Sequence, residues 1–235
     1  MKTNVVRVPM TKEIGIDLKT TGQMVNSKTN MVYLCNPNNP TGVVMNHKEL
    51  EVFCKETSKK SIVFVDEAYH EYVMDKQYRS MVSLVNEGYD VLISRTASKV
   101  HGLAGLRVGY AISTPKIIKR LNSYMNGSLN VVGLRGAIAS YKDKRFQKFS
   151  IEKNNEGRTI VTDYLDKKGI EYLDSQTNFI FINTGIDIKK FQPAMEKHKV
   201  LVGRPFPPYT DWCRLSIAKP EEMESFNKGF NKELG

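Results

Sequence analysis

The sequence has few cysteines and no long apolar run. Three Cys stand at positions 35, 54 and 213 of 235 residues. Their number is odd and they are scattered, so they supply neither a disulfide framework nor a C-x-x-C metal or redox pair. A reducing compartment, the cytoplasm, is expected. No apolar stretch approaches the roughly 20 residues of a membrane span. The opening "MKTNVVRVPMTKEIGIDL" carries a Lys but lacks a long apolar core, so no signal peptide is read there. Dense Lys/Arg runs are missing too. The net charge is +10, yet 35 basic residues are interleaved with 25 acidic ones. With no zinc-finger or RNP-type pattern, a solvated basic surface is favoured over nucleic-acid binding, and affinity for small anions comes second. There are no internal repeats and no low-complexity segments.

What is present is globular. Hydrophobic residues make up 40% and charged residues 26% of the chain, which suffices for a buried core. Short apolar runs alternate with amphipathic stretches. The runs "MVYLC" (31–35), "SIVFV" (61–65), "DVLIS" (90–94) and "RVGYAI" (107–112) read as strands. Between them, "NHKELEVFCKETSKK" reads as a helix. Asn46 caps it, Glu49 takes the capping-box position, and Leu50, Phe53 and Cys54 share one face. A shorter helix is expected over 79–87. This alternation predicts an α/β fold with a mostly parallel sheet covered by helices.

Further on the pattern changes. Residues 130–142 and 144–168 read as helices, and "NFIFI" (178–182), "KVLVG" (199–203) and "CRLSI" (213–217) as short strands. "DIKKFQPAMEKH" is helical between them. A last helix starts after Pro220 and repeats Met223, Phe226 and Phe230 along one face. A domain boundary is therefore placed near residue 145, with a large domain over 1–145 and a smaller C-terminal α+β domain over 146–235.

Three polar clusters follow three of the strands. The first, "NPNNPTG" (36–42), is richer in Asn, Pro and Gly than a hairpin turn needs. Such a loop has a defined shape and can aim an amide side chain. "DEAYHEY" (66–72) follows the second strand, and "RTASKVHGLAGLRVGY" (95–110) the third. Ligands of open α/β sheets sit at the carboxyl ends of strands, so all three clusters should face one crevice. Alone, each has a bland reading: an Asp-Glu pair is often solvated charge, and a lone Lys is usually surface.

Together with "SK" at 98–99 ahead of "GLAGLRVGY", and the late "WCRLSI", these motifs resemble the fold type I pyridoxal-phosphate-dependent aminotransferases of class I/II. The histidinol-phosphate aminotransferase-like branch is the nearest in pattern. The resemblance runs along the whole chain and implies pyridoxal 5'-phosphate as cofactor. It implies Lys99 as the Schiff-base amine and Asp66 as the partner of the ring nitrogen. Asn39 and Tyr69 would serve the phenolic oxygen, and Thr96, Ser98 and Arg107 the phosphate. Lys99, Asp66 and Tyr69 are the expected catalytic residues. Arg214 matches the arginine that holds the substrate carboxylate in most of the superfamily. In the histidinol-phosphate branch the corresponding region holds the substrate phosphate. Arg204 matches a second arginine of that branch, against a plain reading as a solvated surface Arg. Asn178 lines the pocket or serves as a turn residue. Glu67 is read as structural, His101 as packing, and no metal is called for.

The pattern also departs from the family. Val100 replaces the small residue that usually follows the lysine. Lys99 comes early, whereas the family's lysine lies past the middle of the chain. No Gly-containing phosphate loop, ring-stacking aromatic or Tyr for a partner subunit is found upstream of residue 31. The large domain is accordingly expected to be incomplete. The activity implied is ping-pong transfer of an amino group from an amino acid, or an amino-alcohol phosphate, to a 2-oxo acid, by a homodimer when full length. A decarboxylase on the same scaffold, a ligand-sensing regulator domain and an inactive truncated remnant are the alternatives.

Overall fold

The structure is a computed structural model that describes residues 3–234. Its first half is built on a four-stranded sheet. Helix α1 (Leu18–Met24) precedes β1 (Met31–Cys35), α2 (His47–Thr57), β2 (Ile62–Asp66), α3 (Val82–Asn86), β3 (Val91–Thr96) and β4 (Gly109–Ile112). The strands lie in the order β1-β2-β3-β4. The first three run parallel and β4 is antiparallel to β3. The expected α/β fold with a mainly parallel sheet is therefore present.

Alternation explains which face is covered. Val32, Leu34, Val63, Val65, Val91 and Ile93 are buried together with Leu50, Phe53 and Cys54 of α2 and Leu84 of α3. Burial of each such side chain contributes roughly 1.5–3 kcal/mol. The opposite face carries Tyr33, which is 57% exposed, and Phe64, whose ring meets Tyr33 edge-on at 5.3 Å. Asn46 caps α2 as expected, accepting from the backbone N–H groups of Lys48 and Glu49 at 3.0 and 3.3 Å.

The second half contains α4 (Pro115–Asn122), α5 (Val131–Lys142), α6 (Lys144–Lys168), β5 (Phe179–Asn183), α7 (Ile188–Glu196), β6 (Trp212–Ser216) and α8 (Pro220–Leu234). Strands β5 and β6 form an antiparallel pair. Against it, Val161 and Leu165 of α6, Phe191 and Met195 of α7, and Met223, Phe226 and Phe230 of α8 bury a separate core. Asp143 caps α6, and Gly169 ends it in the left-handed region at φ 65°.

One expected strand is absent. "KVLVG" (199–203) is not a strand, because its first residues finish α7. Lys199 takes φ 62°. The N–H groups of Lys199 and Val200 donate back to Glu196 and Met195 at 2.8 and 3.2 Å. Only Gly203 bonds β6, through its N–H to the Arg214 carbonyl at 3.2 Å, while its own carbonyl accepts from Gln192. The strand expected from residue 107 starts instead at Gly109, since Arg107 is left-handed at φ 55°. Helices α1 and α4 were not expected. Asp17 caps α1, and Pro115 opens α4 at a position where a missing N–H costs nothing.

Candidate active site

The sheet register brings the three polar clusters to one edge. Cys35, Asp66 and Ser94 are neighbours across β1, β2 and β3. Each stands at or near the carboxyl end of its strand, and the loops that follow share the space above.

The "NPNNPTG" loop is held by its own side chains. Asn36 accepts from the Met45 N–H at 2.9 Å, and Asn38 donates to the Thr41 hydroxyl at 2.9 Å. Gly42 closes the turn at φ 80°, where a Cβ would stand 2.2 Å from Ser175 Oγ. Asn36 and Asn38 are buried, whereas Asn39 projects from the loop and is exposed. Its Nδ2 points to the Tyr69 hydroxyl at 3.5 Å, and its Oδ1 accepts from Arg214 Nη1 at 2.9 Å.

Asp66 is oriented by three donors. The Tyr33 hydroxyl meets Oδ2 at 2.9 Å, and the Ser94 hydroxyl and Ala68 N–H meet Oδ1 at 2.9 and 3.1 Å. Sequence reasoning missed Tyr33 and Ser94. Strand alternation carried the signal, since both lie on the Asp66 face. The ring is exposed, but desolvation at its hydroxyl, with Cys35 and Asp66 beside it, pushes the Tyr33 phenol above its ordinary range, so it stays a donor. Burial likewise pushes the Cys35 thiol up to about 11. Glu67 is 1% exposed and fully engaged. It pairs with Arg95 at 2.9 Å and accepts from the Ser80 hydroxyl and the Met81 N–H. Burial opposes the Arg95 charge, but the Glu67 carboxylate outweighs it and holds its pKa above the ordinary value.

Tyr69 is buried, with its ring edge-on to Phe179 at 5.1 Å. The Lys99 ammonium stands 4.9 Å from the centre of the Tyr69 ring. Thr96 and Ser98 join their hydroxyls at 2.9 Å beneath the same turn. Arg107 does not join them. Its guanidinium donates to the Ala104 carbonyl at 2.8 Å and the residue is exposed. Val100 is buried beside Tyr69 and Tyr72, so its added bulk is packed inward. His101 is buried too, with Nδ1 3.0 Å from the Ser140 hydroxyl and its ring edge-on to Tyr141.

Arg214 comes from β6 and enters over two rings, Phe179 at 5.0 Å and Phe206 at 5.3 Å. Its Nε is buried without a hydrogen-bond partner. Arg204 lies on the same Phe206 ring at 4.2 Å and is exposed. Both arginines thus flank one aromatic side chain. The Asn178 carbonyl accepts from the Ile217 N–H at 2.8 Å, extending the β5–β6 ladder. A cavity of about 200 Å³ lies among Thr11, Ile16, Asn38 and Met45, and none of the candidate residues lines it. The candidate groups lie instead at the carboxyl edge of the four-stranded sheet and on β6 beside the Asn39 loop. Together they offer an amine, a carboxylate, an amide–phenol pair, two hydroxyls and a cation, a set suited to a ligand with both charged and carbonyl groups.

Comparison with known proteins identifies the family. The family profile "Aminotransferase class I and II" matches residues 1–228. The histidinol-phosphate aminotransferase 2 of Hydrogenovibrio crunogenus is 35% identical over 233 residues, covering 97% of this chain and 62% of that protein. The histidinol-phosphate aminotransferase of Brevibacillus brevis is 39% identical over 188 residues, covering 78% of this chain and 50% of that protein. A crystal structure from Erwinia carotovora atroseptica superposes with a TM-score of 0.90 at 32% identity, over 96% of this chain and 66% of that one. The Sinorhizobium meliloti histidinol-phosphate aminotransferase in complex with pyridoxal-5'-phosphate gives 0.84 at 25% identity, over 98% and 65%. The chain therefore spans less than two thirds of the length of these relatives. By sequence and by fold, it belongs to the class I and II aminotransferase family.

Proposed function

We propose that this chain forms the lysine-bearing part of a pyridoxal-phosphate-dependent aminotransferase. The substrates are an amino acid, or an amino-alcohol phosphate such as histidinol phosphate, and a 2-oxo acid acceptor. The observation that carries the reading is the line of contacts from Lys99 over Tyr69, through Asn39, to Arg214. It sets an amine, two donors for a phenolic oxygen and an anion-binding guanidinium side by side. Names of the relatives support the substrate class.

The residues present fit the cofactor. Lys99 offers the amine for its aldehyde, and Asp66, fixed by Tyr33 and Ser94, a carboxylate for its ring nitrogen. Asn39 and Tyr69 serve its phenolic oxygen, and Thr96 and Ser98 its phosphate. Arg107 would join the phosphate after turning from Ala104. When bound, pyridoxal phosphate supplies the electron sink for the pair left behind as the substrate Cα loses its proton. Lys99 takes that proton from Cα and returns it, acting as general base and then acid. Arg214 holds the substrate anion. Its half-buried setting strengthens the charge-assisted bonds, each contributing roughly 1.5–3 kcal/mol. Arg204 and Asn178 extend the anion pocket.

The same reading divides the chain near residue 145 into a cofactor-binding part and a smaller part that carries Arg214. The separate cores support that division. The whole protein is taken to act as a cytoplasmic homodimer. Among the described residues, no helix is long and apolar enough to cross a membrane. A single-turnover reaction with excess cofactor and glutamate tests the function. Recovery of pyridoxamine phosphate with 2-oxoglutarate supports it. Recovery of the aldehyde form with released CO₂ replaces it with decarboxylation.

A further inference from the structure

The two halves of the site come from different parts of the chain. Asn39, Tyr69 and Lys99 belong to loops of the four-stranded sheet, and Arg214 belongs to β6. Gln176 lies between these halves. Its backbone N–H donates to the Gly42 carbonyl at 2.8 Å, at the end of the loop that carries Asn39. Its side-chain Oε1 accepts from the Met74 and Asp75 N–H groups at 2.9 and 3.2 Å, just past the turn that carries Tyr69. Phe179, a little further along, packs on Tyr69 and underlies Arg214. The segment is anchored from α6 as well. Arg158 donates to the Ser175 carbonyl at 2.5 Å, and Asn154 to the Thr177 carbonyl at 3.1 Å. Gln176 thus contacts the Asn39 loop and the Tyr69 turn while being held by the part that carries Arg214.

We infer that Gln176 is a positioning residue that sets the register between Arg214 and Asn39. Its effect on substrate-anion placement rests on the aminotransferase reading, whereas its effect on geometry rests on the hydrogen bonds alone. The side chain suits the task. One amide oxygen has two lone pairs and takes both N–H groups. Both bonds are near solvent, so water replaces them at small cost to stability, and the loss falls on geometry.

The test uses the whole chain as Gln176→Ala and Gln176→Glu, followed by NMR of the Asn39 side-chain amide and the Arg214 guanidinium. The same signals are titrated with 2-oxoglutarate. Gln176→Ala shifts both signals, removes the Overhauser contact between them and weakens 2-oxoglutarate binding about tenfold or more. Gln176→Glu keeps the acceptor and stays within about twofold of the parent. Borohydride trapping of pyridoxal phosphate on Lys99 changes by less than about twofold in both, since Lys99 is placed by the sheet. Unchanged Asn39 and Arg214 signals in Gln176→Ala overturn the proposal, as does equal disruption in Gln176→Glu. A parent chain that ignores 2-oxoglutarate, yet loses the Asn39–Arg214 contact in Gln176→Ala, removes Arg214 as the 2-oxo acid's anion site and upholds the positioning role.

Discussion

Arg214 Nη1 donates to Asn39 Oδ1 at 2.9 Å, across 175 positions of sequence. The residue proposed for the substrate anion is thereby already in contact with a residue proposed for the cofactor. Asn39 holds one nitrogen of the guanidinium in place, while Nε is left without a partner and is available to an arriving carboxylate. Arg214→Lys keeps the charge but loses the planar fork and the face that lies over Phe179 and Phe206. Its affinity for 2-oxoglutarate is expected to fall about tenfold or more, roughly one charge-assisted bond. Titration by NMR checks this, and an unchanged affinity would move the anion site elsewhere.

Lys99 is the expected point of covalent attachment. Incubation with pyridoxal phosphate, borohydride reduction and peptide mapping should mark Lys99 among the many lysines of this chain. Lys99→Arg should remove the mark. Labelling spread over surface lysines, with none at 99, would reject the assignment.

Cofactor affinity and turnover should both be low in this 235-residue chain. The described phosphate ligands are two hydroxyls that bond each other and a guanidinium already held by Ala104. Reorienting Arg107 and separating Thr96 from Ser98 takes energy from binding. Each missing charge-assisted bond is worth roughly 1.5–3 kcal/mol, or one to two orders of magnitude in affinity. A spectroscopic titration followed by a coupled glutamate assay decides the matter. Tight stoichiometric binding with steady turnover would contradict this account.

Removing Arg95 should be costly. Arg95→Met leaves the Glu67 carboxylate buried with only the Ser80 hydroxyl and the Met81 N–H. Breaking one side of such a buried pair costs about 3–5 kcal/mol. Replacing both partners, as Glu67→Gln with Arg95→Met, should recover part of the loss. Urea denaturation of the three variants measures it, and a loss below about 1 kcal/mol in the single variant would mean that water reaches Glu67.

Gly42→Ala should destabilise the loop for two separate reasons. A non-glycine residue at φ 80° costs roughly 1–2 kcal/mol. The new methyl group also meets Ser175 Oγ at 2.2 Å. Ser175→Gly in the same chain relieves the second cause but not the first, so thermal melts of single and double variants separate them. Equal melting of Gly42→Ala and the parent would show that the turn can relax.

Much of this arrangement could be read from local pattern. The Asn46 cap, the bounds of α6 and the burial of Met223, Phe226 and Phe230 all follow from signals within a few residues of each element. The clustering at strand ends was legible because parallel strands aim their following loops to one edge. What escaped depended on distant pairing. Tyr33 and Ser94 become partners of Asp66 only through strand register, and Gln176 matters only because two remote loops reach it. "KVLVG" misled because its valines favour a strand while its first N–H groups are taken by the end of α7. Helix α4 did carry a signal, Pro115 at its start and Lys119 and Arg120 near its end.

The alternation along β2 imposes a rule of parity on inherited change. Val63 and Val65 face the helices, while Phe64 and Asp66 share the opposite face with Tyr33. A single-codon insertion or deletion between them would reverse every later side chain, turning Asp66 into the apolar core and a valine onto the Tyr33 face. Losses or gains of two codons would keep the faces and merely shorten or lengthen the strand. Length variation among descendants of this gene should therefore collect in the loops, and any that survives within β2 should come in even steps.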